Sequence, residues 1–246
     1  MEIVKGWNNK KLYYTAFWGF LGWMLLGSIA YIVAILVVLF RGQTFEGNNI
    51  EIIMNSSEFY KASMVAETSA GIFLVVFAIV FFKKMFVMDA VKFKKDLWRN
   101  VAIIVVGSVL IIGLGNLLEW LYDLMNIGGE SANQSLIEEM LNSSIRPIMF
   151  LMVVIIAPIK EELIFRKFLI GSITGDEDDK NVLAAIISIL FFATIHVISS
   201  IEDLIFLPQY LLLSAIITLS YLASRKNIYV SVAMHFINNL IAFLVI

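Results

Sequence analysis

The 246-residue sequence has no cysteine, three prolines and two histidines, and only 15% of its residues are charged. Without cysteine there is no disulfide, no thiolate zinc site and no cysteine nucleophile. The formal net charge is -2, with no basic excess, so no nucleic-acid partner is expected. Soluble domains carry about 25% charged and 45–50% apolar residues. This chain is 60% hydrophobic, with a mean hydropathy of +0.88. One soluble core does not hide that much apolar surface.

The apolar residues fall in runs long enough to cross a bilayer. They predict an all-α, polytopic transmembrane helical bundle of about seven spans, near 15–40, 62–82, 101–121, 147–171, 182–198, 204–223 and 228–246. The first run is too long for the core of a cleavable signal peptide. No repeat, low-complexity tract or soluble domain is visible. Lys5, Lys10 and Lys11 precede the first span. Lys83, Lys84, Lys92, Lys94, Lys95 and Arg99 form the expected loop after the second, and Arg225 and Lys226 lie between the last two. With seven spans all three segments share one side, which the positive-inside rule makes cytoplasmic. The N-terminus is then inside and the C-terminus outside. Ser131 to Ser144 is expected to form a short amphipathic helix on the outer surface.

Ionisable groups inside spans are costly and mark candidate sites. Three clusters qualify: Lys160-Glu161-Glu162 with Arg166, Phe192 with His196, and His235 with Asn238 and Asn239. Glu162 and Arg166 are four residues apart with the acid N-terminal, the favourable order for an ion pair on a helix. That pair reads as structural. Glu161 is rotated about 100° from it and is free to point elsewhere. His235 and Asn239 share a helix face, as do Phe192 and His196. Counted from the span ends, Glu161, His196, His235 and Asn239 lie within roughly 10 Å of one level, which helix tilt absorbs. Pro158 removes the helical partner of the Val154 carbonyl and is expected to kink the helix near Glu161. Gln209 and Tyr210 are expected to serve packing, and Glu67 and Glu119 to sit at the interface.

A carboxylate in apolar surroundings suits general-base work on a water, and a neutral imidazole holds the water or shares its proton. A second imidazole and an amide donate to a developing oxyanion. Such a set hydrolyses a peptide bond without a serine or cysteine nucleophile. The competing chemistry is zinc on Glu161, His196 and His235; with no HExxH present, its ligands would come from separate helices. An ion or proton relay in a transporter is a further reading, weakened by the lack of a repeat.

The run EExxxR at Glu161, Glu162 and Arg166, FxxxH at Phe192 and His196, and HxxxN at His235 and Asn239 resemble, in that order, the CPBP family. These are the CAAX proteases and bacteriocin-processing enzymes, also called the Abi family. The resemblance covers about residues 145–246 and divides the chain into N-terminal spans with an external loop (1–144) and a catalytic membrane core (145–246). It implies an intramembrane endopeptidase in which Glu161 activates water, His196 assists, and His235 with Asn239 forms the oxyanion hole. It implies no cofactor, zinc being the alternative. The expected setting is the cell membrane of a bacterium, with the lipid bilayer and a peptide or membrane-protein substrate as partners. A bacteriocin or signalling-peptide precursor is one such substrate. A non-catalytic immunity or regulatory role is the alternative function. Where the family often has Gly after the Arg, this chain has Lys167, expected to alter packing and not chemistry.

Overall fold

The computed structural model describes residues 10–25, 28–40, 56–129, 144–175, 181–198 and 201–245, and among these every regular element is helical. The helices are α1 (Lys10–Leu25), α2 (Ser28–Phe40), α3 (Ser57–Phe81), α4 (Lys83–Lys95) and α5 (Leu97–Leu124). An unbroken helical run over 146–174, α6, is followed by α7 (Asn181–Val197), α8 (Leu207–Ala223) and α9 (Ile228–Val245). A 3-10 turn, Glu202–Phe206, leads directly into α8. The chain is a membrane protein: four segments, Glu58–Phe81, Leu97–Leu124, Glu202–Ala223 and Ile228–Val245, are long and apolar enough to cross a bilayer. Their outward surfaces are apolar, as on α5, where Val105, Val106 and Val109 are all more than half exposed. In lipid that exposure needs no covering partner. Pro147 opens α6, where a missing N–H breaks no bond, Pro208 stands at the start of α8, and Pro158 lies inside α6 at the start of its central α-helical stretch.

Two expectations need correction. The run expected as one span over 15–40 supplies two helices with different neighbours. α1 packs on α6, with Phe20 edge-on to Phe168 at 4.9 Å between centroids, whereas Ala34 and Val38 of α2 pack on Phe59 of α3. The lysine-rich segment after α3 is not a loop but α4. Met85 and Asp89, one turn apart, are buried against the bundle while Lys83, Lys84, Lys92, Lys94 and Lys95 point outward. Low overall hydropathy hides such a one-sided helix. The amphipathic helix expected over 131–144 falls, apart from residue 144, outside the described residues.

The bundle has two distinguishable ends. At the lysine-rich end, the starts of α5 and α9 meet the finishes of α6 and α8. Arg99 donates to the Ala223 carbonyl at 2.6 Å, Arg225 pairs with Asp96 at 3.0 Å, and Lys226 donates to Thr174 Oγ1 at 3.2 Å. Buried Asp89 pairs with buried Lys167 at 2.6 Å and also accepts the Ile228 N–H at 3.1 Å. At the opposite end, Tyr122 of α5 donates to the Ile205 carbonyl at 2.8 Å, and Phe150 of α6 packs edge-on to Phe243 of α9.

Candidate active site

The winding of α6 places the glutamates. Two of its stretches, Phe150–Ile156 and Leu163–Ile170, are wound as π-helix, with α-helical Ala157–Glu162 between them. In π winding the carbonyl of residue i meets the N–H of i+5, as where the Ala157 N–H reaches the Met152 carbonyl. The next carbonyl, that of Val153, would then face Pro158, which has no N–H to give. The Asn239 side chain fills the gap: its Nδ2 donates to the Val153 carbonyl at 2.9 Å. The sequence reading assigned the orphaned carbonyl to Val154, because it assumed an α-helix. The second wide stretch is braced too, with Ser188 of α7 donating to the buried Phe165 carbonyl at 2.9 Å.

Glu162 and Arg166 are both fully buried and paired at 3.2 Å. The guanidinium also donates to Ser214 Oγ at 3.1 Å and lies over the Phe192 ring, 4.5 Å from its centroid. Glu162 has a second partner that spacing on one helix did not reveal. His235 Nδ1 donates to the same Oε1 at 2.9 Å. That bond fixes the ring, and Nε2 faces Glu161 Oε2 at 3.9 Å.

His196 is held in parallel fashion. Its Nδ1 donates to the Phe192 carbonyl at 2.7 Å, its ring stacks against Tyr210 with centroids 5.0 Å apart, and its Nε2 lies 3.8 Å from Glu161 Oε2. Two imidazole Nε2 atoms thus converge on one carboxylate oxygen, on side chains that are only 14–18% exposed for Glu161 and His196 and 4% for His235. Gaps of 3.8 and 3.9 Å are too long for direct hydrogen bonds and suit a bridging water. Asn239 stands on the face of α9 that carries His235. Its Oδ1 accepts from Asn238 Nδ2 at 3.1 Å, which sets the amide so that Nδ2 faces α6. The second Nδ2 hydrogen has no part in the Val153 bond.

The structure therefore brings Glu161, His196 and His235 around one point, with Asn239 beside them on α9 and Glu162–Arg166 behind. Sequence reasoning missed Ser188 and Ser214, polar residues inside apolar runs whose partners lie on other helices. It also set Tyr210 aside as packing, although its ring lies on His196. A zinc ion is the one cofactor that these side chains suggest. The donor types fit a His2Glu set, and both imidazoles are backed on their far nitrogens as zinc ligands usually are. Tetrahedral bonds of 2.0–2.1 Å would put donor atoms about 3.3 Å apart, against 3.8 and 3.9 Å here, so an ion held by Glu161, His196 and His235 would draw the three side chains closer. Among the described residues no group of three His, Cys, Asp or Glu forms a ready metal site.

Residues 143–241 match the family model described as Type II CAAX prenyl endopeptidase Rce1-like. The matched stretch holds α6 to α8 and most of α9, and with them every side chain of the convergent site. A CAAX-type intramembrane endopeptidase domain is what this match indicates, in line with the CPBP resemblance. No curated protein and no solved structure matches the chain.

Proposed function

We propose that this chain, with an endopeptidase domain over its C-terminal four helices, hydrolyses a peptide bond within the membrane by water that Glu161 activates. The observation that supports this best is the convergence of His196 Nε2 and His235 Nε2 on Glu161 Oε2 at 3.8 and 3.9 Å. A water among these three atoms gives one proton to the carboxylate and rests its other on an imidazole, leaving a lone pair for the substrate carbonyl carbon. As the C–O bond forms, the carbonyl π pair moves onto oxygen. The free Asn239 N–H is the neutral donor for that oxyanion. His235 is not one in its neutral form, because its Nδ1–H is committed to Glu162.

His235 acts as a positioning group: Glu162 holds its Nδ1 and so keeps Nε2 aimed at the water beside Glu161. The proton held by Glu161 then passes to the leaving amine as the C–N bond breaks. The acid product gives its remaining proton to the amine, so the products are a carboxylate and an ammonium, with no group left on the protein.

The substrate on this reading is a peptide or a membrane-protein segment, such as a bacteriocin or signalling-peptide precursor. The lysine-rich end faces the cytoplasm of a bacterial cell membrane. The test is cleavage of a peptide mixture by purified, lipid-reconstituted protein, with new termini identified by mass spectrometry before and after dialysis against a strong chelator. Internal cleavage that survives the chelator is expected. No cleavage at high protein concentration overturns the endopeptidase reading. Cleavage lost to the chelator and restored by one equivalent of zinc overturns the metal-free one.

A further inference from the structure

A cavity of about 620 Å³ lies between α5, α8 and α9, within the 300–1,000 Å³ range of ligand sites. It belongs to the half of the bundle away from the lysines. Its walls come from the second half of α5, the beginning of α8 and the later turns of α9. Seven polar side chains line it: Asn116, Glu119, Tyr122, Asp123, Gln209, Tyr210 and Asn238. Two of them also touch the convergent site. Tyr210 stacks on His196, and Asn238 donates to Asn239. The cavity and the three-atom centre at Glu161 are thus separated by single side chains.

We propose that this cavity is where the substrate docks, as an extended polypeptide segment bearing basic side chains, reaching the site from the membrane face opposite the lysine-rich end. This deepens the peptidase reading and rests on it. The wall mixes its polar groups with apolar side chains such as Ile111, Leu213 and Ile241, and an extended peptide suits both, with side chains for the apolar part and an N–H and a C=O at every residue for the polar part. The amides of Asn116, Gln209 and Asn238 match those groups. The charged lining residues, Glu119 and Asp123, are both acidic, which favours a basic segment over an acidic one. Entry from this end leads the segment past Tyr210 and Asn238 to Glu161, and leaves the Asp89–Lys167 end of the bundle closed.

The chain contains no cysteine, so single cysteines report without background. In right-side-out and inverted vesicles of zwitterionic lipid, a membrane-impermeant maleimide is applied to Asn116→Cys and Gln209→Cys, with Lys94→Cys marking the other face. The Glu161→Gln background makes binding readable whether or not cleavage occurs. The probes are a ten-residue Lys/Ser peptide and its Glu/Ser counterpart. Both cavity cysteines are expected to label from the face opposite Lys94→Cys, and the Lys/Ser peptide at ten times its Kd slows labelling about tenfold. In the active protein, Glu119→Gln with Asp123→Asn raises KM for a cleaved basic peptide about two- to fivefold and leaves kcat unchanged. Labelling from the Lys94 face, no protection, or equal protection by both peptides overturns the proposal. Absent cleavage with intact protection would instead count against the peptidase reading alone.

Discussion

Arg166→Ala is expected to destabilise the protein severely, for a reason that the buried polar cluster makes quantitative. Arg166 and Glu162 are both 0% exposed and their atoms approach to 3.2 Å. The guanidinium also holds Ser214 Oγ and covers the Phe192 ring. Removing it leaves a buried carboxylate with His235 as its remaining side-chain partner. Breaking a buried pair from one side costs about 3–5 kcal/mol. Replacing both partners with apolar side chains of similar size, Glu162→Leu with Arg166→Met, removes the stranded charge and is expected to recover most of that loss. It does not recover activity, because His235 loses the Nδ1 partner that aims its Nε2 at Glu161. Equilibrium unfolding of the purified variants in mixed micelles, followed by tryptophan fluorescence, measures the stabilities, and peptide cleavage measures the rest. A loss under about 1 kcal/mol for Arg166→Ala, or a double variant with wild-type turnover, would refute this reasoning.

Ser188→Ala leaves the Phe165 carbonyl buried without its cross-helix donor and costs about 1–3 kcal/mol in the same unfolding assay. Gly171→Ala would bring a Cβ to 2.8 Å from the Tyr13 ring, which pushes α1 off α6 and costs about 1–3 kcal/mol. Asn239→Ala removes both the proposed oxyanion donor and the cover on the Val153 carbonyl, so turnover is expected to fall on the order of 100–1,000-fold with some loss of stability. Steady-state kinetics alongside unfolding separates the two effects. Topology reporters at Lys95 and Glu130 are expected to register on opposite faces, the first cytoplasmic, because the 28 residues of α5 lie between them; the same face for both would break the orientation argument.

Much of the site was legible because its residues are anomalous where they stand. Histidine, glutamate, arginine and asparagine inside apolar runs announce themselves, and helical spacing correctly paired Glu162 with Arg166. The level argument for Glu161, His196 and His235 also matches their convergence. What stayed hidden depends on partners far along the chain. Glu162 meets His235 across 73 residues and Lys167 meets Asp89 across 78, and no local pattern predicts either contact. Lys167 looked like a local packing change where glycine is common; it is one half of a buried ion pair that ties α4 to α6. The helical nature of α4 was lost beneath its lysines. The Asn239 bond to the Val153 carbonyl lay outside an α-helical reading, because a π-turn shifts the carbonyl register that Pro158 interrupts.

The central claim is that Glu161 is the base, and the turnover of purified Glu161→Gln against wild type tests it most directly. The amide is isosteric with the carboxylate, and Glu161, unlike Glu162, is not paired with Arg166. The variant should therefore unfold at the wild-type midpoint and yield no cleavage product above the uncatalysed rate. Glu161→Gln that folds normally and cleaves peptide within tenfold of the wild-type rate, far short of the 10²–10⁴-fold that a positioned base contributes, would contradict the account.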